Sequence, residues 1–259
     1  MKYLKLFQTL EEYDAYMAGE VFYPNVSYVQ GTKSVFYNTE VPLYILAIED
    51  LTITMSLMSS DGVAYSLDGV EWVALTTKSN KTPVIPAGSK VYFKNSTPAS
   101  NAYRESAMFT ISAPCKLGGN IMSMLYGDDY SGKTDTQAGC FRGMFRQQTS
   151  IQDASSLVMP ATSMTSQCYR EMFLGCSSMV KGPALPALIL VDRCYEQMFY
   201  GCSSLQYIKA LFTTTPSSSY TNSWVSGVAS SGVFVKNKDA AWSVTGNNGV
   251  PSSWTIETA

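Results

Sequence analysis

The residues whose spacing most resembles a chemical site lie at positions 127–134, where Gly-Asp-Asp-Tyr-Ser-Gly-Lys-Thr matches the phosphate-binding Walker A pattern letter for letter. A working loop of this kind follows a strand and leads into a helix that begins at its Lys-Thr end, so that backbone N–H groups surround the phosphates. Residues 187–192, Ala-Leu-Ile-Leu-Val-Asp, could supply the acidic strand of such a nucleotide site. However, residues 135–139 begin no convincing helix. We therefore expect Lys133 to lie solvated on a loop, and nucleotide binding is only a remote alternative.

The six cysteines are a second candidate for chemistry, and five of them recur in two repeat registers. Stacked repeats would place each set in a ladder of buried thiols, which behave as small apolar side chains. Paired Cys-x-x-Cys spacings are absent, so the sequence predicts no zinc site. A disulfide framework would require an oxidising compartment, and we expect reduced thiols instead. The first register holds Cys140, Cys168 and Cys194, the second holds Cys176 and Cys202, and Cys115 lies outside both.

Composition argues against catalysis and against binding of nucleic acids. The chain of 259 residues has no histidine, the side chain most often used for proton transfer near neutral pH and for metal binding. Its formal net charge is -2, and no run of Lys or Arg offers the basic patch that phosphate backbones require. No stretch approaches the roughly 20 apolar residues of a membrane-spanning helix. The sequence thus predicts a non-enzymatic protein with no catalytic, cofactor-binding or metal-binding residues, no nucleic-acid partner and no membrane insertion.

An internal repeat organises the second half of the chain. The pattern Cys-x-x-x-Met-Phe recurs at 140–145, 168–173 and 194–199, with its methionines 28 and 26 residues apart. The second and third copies continue as Gly-Cys-Ser-Ser, whereas Gln147 and Gln148 replace Gly-Cys in the first. Repeats of about 20 to 29 residues with apolar positions at fixed offsets are typical of leucine-rich solenoids, whose units bury their apolar sides by stacking. The side chains predicted to point inward are Met144, Phe145, Met172, Phe173, Met198 and Phe199.

The first 40 residues are predicted to form a small α/β anchoring segment. Thr9 and Glu12 have the spacing of a capping box, and the residues that follow them predict a short helix over 10–18. The strands expected to flank this helix lie at 3–7, 26–29 and 35–37.

Residues 41–117 show the two-residue alternation of a small antiparallel β-sandwich with roughly seven short strands. Leu51, Ile53 and Met55 alternate with threonines, for example. The dipeptide Asp68-Gly69 lies between two strand-like runs and predicts a hairpin with a two-residue type I′ turn.

Residues 213–259 are predicted to form a C-terminal capping region. They contain several aromatic residues among turn signals such as Gly-Asn-Asn-Gly at 246–249. A solenoid needs an end cap that covers the apolar side of its last coil. A sugar-binding aromatic platform is the alternative interpretation of the three tryptophans. The aromatic residues concerned are Trp224, Phe234, Trp242 and Trp254.

The repeated sequence Cys-Tyr-x-x-Met-Phe-x-Gly-Cys-Ser-Ser-Leu resembles the BspA-type leucine-rich repeat over residues 118–212. The tail at 224–236 and 249–254 is similar to the closing segment of such proteins in gut Bacteroidales and their crAss-like phages, and the front at 65–72 and 119–127 is similar to their sandwich and junction. The resemblance implies a mainly β, β-rich α+β chain that ends in a leucine-rich-repeat solenoid. It also implies adhesion or virion structure, and it supplies no catalytic residues.

Two non-enzymatic functions follow from this resemblance. A secreted bacterial surface adhesin would carry a leader, and residues 1–19 lack the apolar core of one. A bacteriophage virion protein, made in the host cytoplasm, needs none. A fibre or decoration subunit whose leucine-rich-repeat module attaches to a host surface is therefore the leading expectation, and a cell-surface adhesin is the alternative. The expected partners are other virion proteins, further copies in a homo-oligomer such as a trimer or dimer, and a host surface glycan or protein.

Overall fold

The computed structural model describes residues 41–56, 62–77, 79–96 and 108–259, with Met108 described by its backbone alone. The chain is mainly β and contains a β-solenoid of about four turns. These findings confirm the coarse prediction of a β-rich repeat protein. The anchoring segment predicted for residues 1–40, with its helix over 10–18, lies outside the described residues.

Within the described residues, seven strands precede the repeats; β1 and β2 alternate buried with more exposed side chains as predicted, whereas β5 and β7 carry longer buried runs. In β2, for example, Ile53 and Met55 are buried while Thr54 and Ser56 are more exposed. Strands β7, β1, β5, β3 and β4 neighbour one another in that order with antiparallel pairing, and β2 pairs with β6 in a separate antiparallel sheet. The strands are β1 (Tyr44–Ala47), β2 (Ile53–Ser56), β3 (Val63–Ser66), β4 (Val73–Ala74), β5 (Lys90–Asn95), β6 (Met108–Ile111) and β7 (Cys115–Asn120).

The predicted hairpin around Asp68 and Gly69 is present, but its two-residue turn is wrong. Strands β3 and β4 pair antiparallel, with Tyr65 opposite Val73, so a longer loop joins them. Only Gly69 has a positive φ, whereas a type I′ turn needs positive φ at both central residues. The Asp68 carboxylate instead accepts backbone N–H groups two and three residues ahead, which stabilises a wider loop.

The second half of the chain continues the larger sheet with parallel strands. Strand β7 pairs in parallel with β8, and the parallel order then runs through β9, β10 and β11 to β12, so that one sheet holds ten strands. The repeat spacing reappears in the register, where Asp153 lies opposite Lys181, and Tyr207 opposite Val233. The elements are α1 (Ser123–Tyr126), a 3-10 helix (Gly127–Tyr130), β8 (Ile151–Val158), β9 (Lys181–Leu185), β10 (Tyr207–Ala210), β11 (Val233–Lys236) and β12 (Thr255–Thr258).

A ribbon of consecutive turns, rather than a helix, connects the strands on the opposite side of each coil. Within this turn ribbon, alternate N–H groups donate three residues back, as Met172 does to the Tyr169 carbonyl at 3.2 Å. The intervening N–H groups donate to the next coil: Phe145 to Met172 and Phe173 to Met198, both at 3.0 Å. The backbone donors of buried coils are thereby satisfied, as burial requires. The ribbon spans residues 139–148, 167–176, 193–202 and 219–228 in successive coils.

The inward side chains of the ribbon form columns that run through the solenoid. The six Met and Phe side chains predicted to point inward are each 0% exposed, which confirms the repeat interpretation. Neighbouring rings in the main column lie between 4.9 and 6.1 Å apart, and the rings of Phe145, Phe173 and Phe199 are stacked nearly parallel. This main column consists of Phe93, Phe109, Phe145, Phe173, Phe199 and Trp224.

The second sheet covers the first coil of the solenoid. The Phe109 N–H donates to the Met144 carbonyl at 3.1 Å, and the Ile111 N–H donates to Gln148 Oε1 at 2.8 Å. Because Phe93 and Phe109 continue the main aromatic column, the two halves of the chain share one apolar core.

The turn at 246–249 covers the last coil of the ribbon. The Val225 N–H donates to the Asn247 carbonyl at 3.3 Å, and the Ser223 N–H donates to Asn248 Oδ1 at 2.8 Å. These amide residues replace the carbonyls that a further coil would supply. The predicted divisions at 117/118 and 212/213 stay predictions: β7 spans the first, and β11 and β12 carry the parallel stack beyond the second.

Candidate functional site

The phosphate-loop-like segment 127–134 does not have the geometry of a phosphate-binding loop. Its first residues form the 3-10 helix, it follows α1 rather than a strand, and turn and extended residues continue after Thr134. Lys133 is exposed, with Nζ 5.4 Å from the centroid of the Tyr126 ring. The predicted loop position of Lys133 is therefore confirmed, and this side chain points to an aromatic neighbour instead of a nest of N–H groups.

The second half of the suspected nucleotide site is not a strand either. Residues 187–192 lie in a connection between β9 and the third turn ribbon. Leu188 and Ile189 are exposed, and the Asp192 carboxylate accepts a hydrogen bond from Ser166 Oγ at 3.1 Å. The structure brings neither half of that motif into a phosphate-binding arrangement.

The cysteines are built into the core as free thiols. All six are buried, and Cys176 and Cys202 each donate Sγ–H to the carbonyl of a phenylalanine in the preceding coil, at 3.0 Å. Burial raises the pKa of Cys168 to about 12 and raises that of Cys176 well above its ordinary value. Nucleophilic and metal-binding cysteines are thiolates, so these groups are poorly suited to either role at neutral pH.

The tail tryptophans also belong to the core. Trp224, Trp242 and Trp254 are at most 6% exposed, and each indole N–H donates to a backbone carbonyl. Their rings are therefore not available as an open aromatic platform, and they fill the last coils as capping residues would.

Charged side chains on the turn ribbon form a ladder between coils. Glu171 contacts Arg146 at 2.7 Å and Arg170 at 3.1 Å, and Glu196 lies 3.4 Å from Arg170 and 3.7 Å from Arg193. Because each carboxylate lies between arginines of its own and a neighbouring coil, the ladder helps to align the stack.

An open cleft lies at the other end of the ten-stranded sheet. Ala74, Ala64 and Lys94 lie opposite one another in register across β4, β3 and β5, so their side chains share one face. The small side chains of the two alanines leave open space above this face of the sheet. Trp72, two residues before Ala74 in the chain, lies on the same face. Asp128 and Asp129 of the 3-10 helix complete the wall of a cavity of about 320 Å³, which we call the Trp72 cleft.

Lys94 connects the two walls of the Trp72 cleft. Its Nζ lies 4.2 Å from the centroid of the Trp72 ring and 2.6 and 2.8 Å from the two carboxylate oxygens of Asp128. The Lys94 side chain is 12% exposed, whereas that of Asp128 is 81% exposed. Such an exposed ion pair contributes little to stability, about 0 to 1 kcal/mol, so its main effect is to fix the position of the ammonium group.

The loop that carries Trp72 is held by Asp68. Asp68 Oδ1 accepts the N–H groups of Val70 and Glu71 at 2.8 and 2.9 Å and the hydroxyl of Ser66 at 2.9 Å. The N–H donors of Val70 and Glu71 hold the pKa of Asp68 below its ordinary value. The loop that carries Trp72 is thus stabilised by its own hydrogen bonds.

The sequence alone did not single out this cleft. Trp72 is part of the predicted hairpin, whereas Asp128 and Asp129 are part of the phosphate-loop pattern, 56 and 57 residues further along the chain. A usable signal was that Trp72 is the only tryptophan before residue 224. The strand register that places Trp72 on the same face as Lys94, and the position of the 3-10 helix that carries Asp128 and Asp129, could not be predicted from the sequence.

Comparison of the chain with protein-family models, with curated proteins and with solved structures gives no match in any of the three. Within the part of the chain that the structure describes, no group of His, Cys, Asp and Glu side chains could hold a metal ion. Among those same residues, no helix is both long enough and apolar enough to cross a bilayer.

Proposed function

We propose that the chain is a non-enzymatic structural protein of a bacteriophage particle, a fibre or decoration subunit that attaches to the surface of a bacterial host. In this proposal the repeats are of the BspA-like leucine-rich type, and the seven front strands form the small sandwich on which they stack. Residues 1–40 anchor the chain to other virion proteins. The protein is made in the host cytoplasm and then resides in the virion.

One observation supports this proposal more than the others: the Trp72 cleft is held at the end of a single sheet and core that extend through every repeat. A continuous core resists bending, because each coil is hydrogen-bonded and packed to the next. A rigid body with an open cleft is suited to presenting a binding surface. The acidic and aromatic lining of the cleft is suited to binding.

Oligomerisation would increase the avidity of a weak contact with the host surface. The ten-stranded sheet ends in β4 on one side and β12 on the other, and all four residues of β12 are exposed. Exposed strand edges favour pairing with further copies, and closed symmetric dimers and trimers are frequent outcomes. Linking several sites in one particle raises avidity by about 10² to 10⁴ over a single contact.

Binding of the fluorescently labelled full-length chain to Bacteroidales cells tests the proposal. We expect saturable binding to at least one strain of a panel, and no binding by the same protein after thermal unfolding. The Lys133→Ala variant is the matched control, because Lys133 is exposed outside the cleft, and it should bind as well as the native chain. Absence of saturable binding across the panel would count against attachment, and loss of binding in Lys133→Ala would show that the attachment surface includes Lys133 instead of being confined to the cleft.

A further inference from the structure

The Trp72 cleft combines one aromatic wall with a polar wall of mixed charge. Of the four tryptophans, Trp72 is the only one that is not buried. The partly exposed indole offers an apolar surface that can pack against the C–H groups of ligands that also carry polar groups. The indole of Trp72 is thus the part of this surface best suited to bind a ligand.

The polar wall offers both hydrogen-bond donors and acceptors. The Lys94 ammonium carries three N–H donors, of which Asp128 takes two, and the carboxylates of Asp128 and Asp129 accept only. A hydroxyl group can donate and accept at once, so neighbouring hydroxyls can bind to such a wall in pairs. A ligand with several hydroxyls on one side and C–H groups on the other matches both walls.

Charge and size restrict the ligand further. One lysine and two aspartates give the cleft a net formal charge of -1, which disfavours phosphates and carboxylates. Lys94 already places a cation over the Trp72 ring, which disfavours a second cation there. The volume of about 320 Å³ is at the small end of the range of about 300 to 1,000 Å³ for small-molecule sites, so a single ring is favoured over a long chain.

We propose that the Trp72 cleft binds one neutral sugar ring of a surface glycan, with the C–H face of the ring against the part of the indole that the Lys94 ammonium leaves uncovered and its hydroxyls on Lys94, Asp128 and Asp129. The inference rests on the attachment function proposed above and names its receptor chemistry. The sugar binds without covalent change. The low affinity of a single ring is compensated in the particle by many copies.

Tryptophan fluorescence reports directly on this site. Because Trp224, Trp242 and Trp254 are buried, acrylamide quenching of the native protein measures mainly Trp72. We expect methyl glycosides of glucose, galactose or mannose at millimolar concentration to protect Trp72 from quenching. Glucuronate and choline should give no protection. Protection by none of the three neutral hexosides, or stronger protection by glucuronate or choline, would overturn the proposal.

A substitution that fills the cleft without changing Trp72 provides the second test. Ala74→Met places a longer side chain on the floor of the cleft, and calorimetry should show at least tenfold weaker hexoside binding, equivalent to about 1.4 kcal/mol. Ala184→Met, the same change at an exposed position of β9, is the matched control and should bind normally. Equal binding by Ala74→Met and the native chain would contradict the site. Cell binding that persists without any hexoside binding would reject the sugar while leaving the attachment function intact.

Discussion

Replacing Phe173 with Ala is expected to lower the free energy of unfolding by about 3 to 5 kcal/mol, the range observed for fully buried aromatic side chains. Phe173 is 0% exposed, and its ring lies 5.6 Å from that of Phe145 and 5.8 Å from that of Phe199. The truncation therefore removes contacts to the coils on both sides at once. A cavity in the middle of the column cannot collapse easily, because the flanking rings are fixed by their own backbone hydrogen bonds.

Urea denaturation followed by circular dichroism measures this change. Tyr200→Ala is the matched control, because Tyr200 follows Phe199 in the equivalent turn of the next coil but is 43% exposed. We expect Tyr200→Ala to change stability by less than about 1 kcal/mol, as surface substitutions usually do. Similar losses for the two variants would show that the ring column is not the core of the stack.

The protein is expected to lose stability steeply above pH 9. Burial raises the pKa of Cys115, Cys140, Cys168, Cys194 and Cys202 to about 12, and it raises that of Cys176 well above its ordinary value. In the unfolded chain the same thiols ionise near their ordinary pKa of about 8.5. Above that pH the unfolded state binds fewer protons than the folded state, so rising pH favours unfolding. Each thiol lowers the free energy of unfolding by about 1.4 kcal/mol per pH unit until the pH reaches its folded pKa.

Chemical denaturation at a series of pH values from 7 to 11 tests this expectation. Stability should be nearly flat below pH 8 and should then fall with a slope that reflects several thiols. A Cys168→Ala variant should show a slope shallower by about 1.4 kcal/mol per pH unit, because one titrating group is removed. Alkylation of native protein at pH 8 should be slow at all six thiols. A flat profile to pH 11, or rapid alkylation of the native chain, would contradict the buried thiol ladders.

The repeat register was predictable because the same residue types recur at fixed spacing along the chain. Met172 and Phe173 recur at the same offset in their neighbours, and only stacking of coils can bury side chains that are placed in this way. The thiol ladders follow from the same register. For these residues the spacing of the sequence pattern is the same as the spacing of the stacked coils.

The turn ribbon was not predictable, because hydrogen bonds between coils override local preference. Ribbon positions adopt positive φ at intervals of four residues, and in each coil some of them are not glycine. Left-handed backbone costs an ordinary residue about 1 to 2 kcal/mol, so local sequence alone would not assign it to glutamate or arginine. The hydrogen bonds to the next coil select this conformation. The residues with positive φ other than glycine are Gln147, Gln167, Glu171, Arg193, Gln197 and Ser223.

The hairpin and the Trp72 cleft show a second limit of sequence reasoning. Asp68-Gly69 correctly marked a reversal of the chain, but the side chain of Asp68 selected a wider loop than the dipeptide suggests. That wider loop is what brings Trp72 over Ala64 and next to Lys94. The geometry of such a site depends on side-chain hydrogen bonds and on strand register. Strand register brings together residues that are distant in the sequence.

Quantitative proteomics of purified particles, from a phage whose genome encodes this chain, tests the central functional claim most directly. If the chain is a fibre or decoration subunit, it should co-purify with infectious particles through a density gradient at many copies per particle. It should remain with the particles after washing in high salt. If the chain is absent from particles and is found on the surface of bacterial cells, it is a cell-surface adhesin and the virion assignment is wrong.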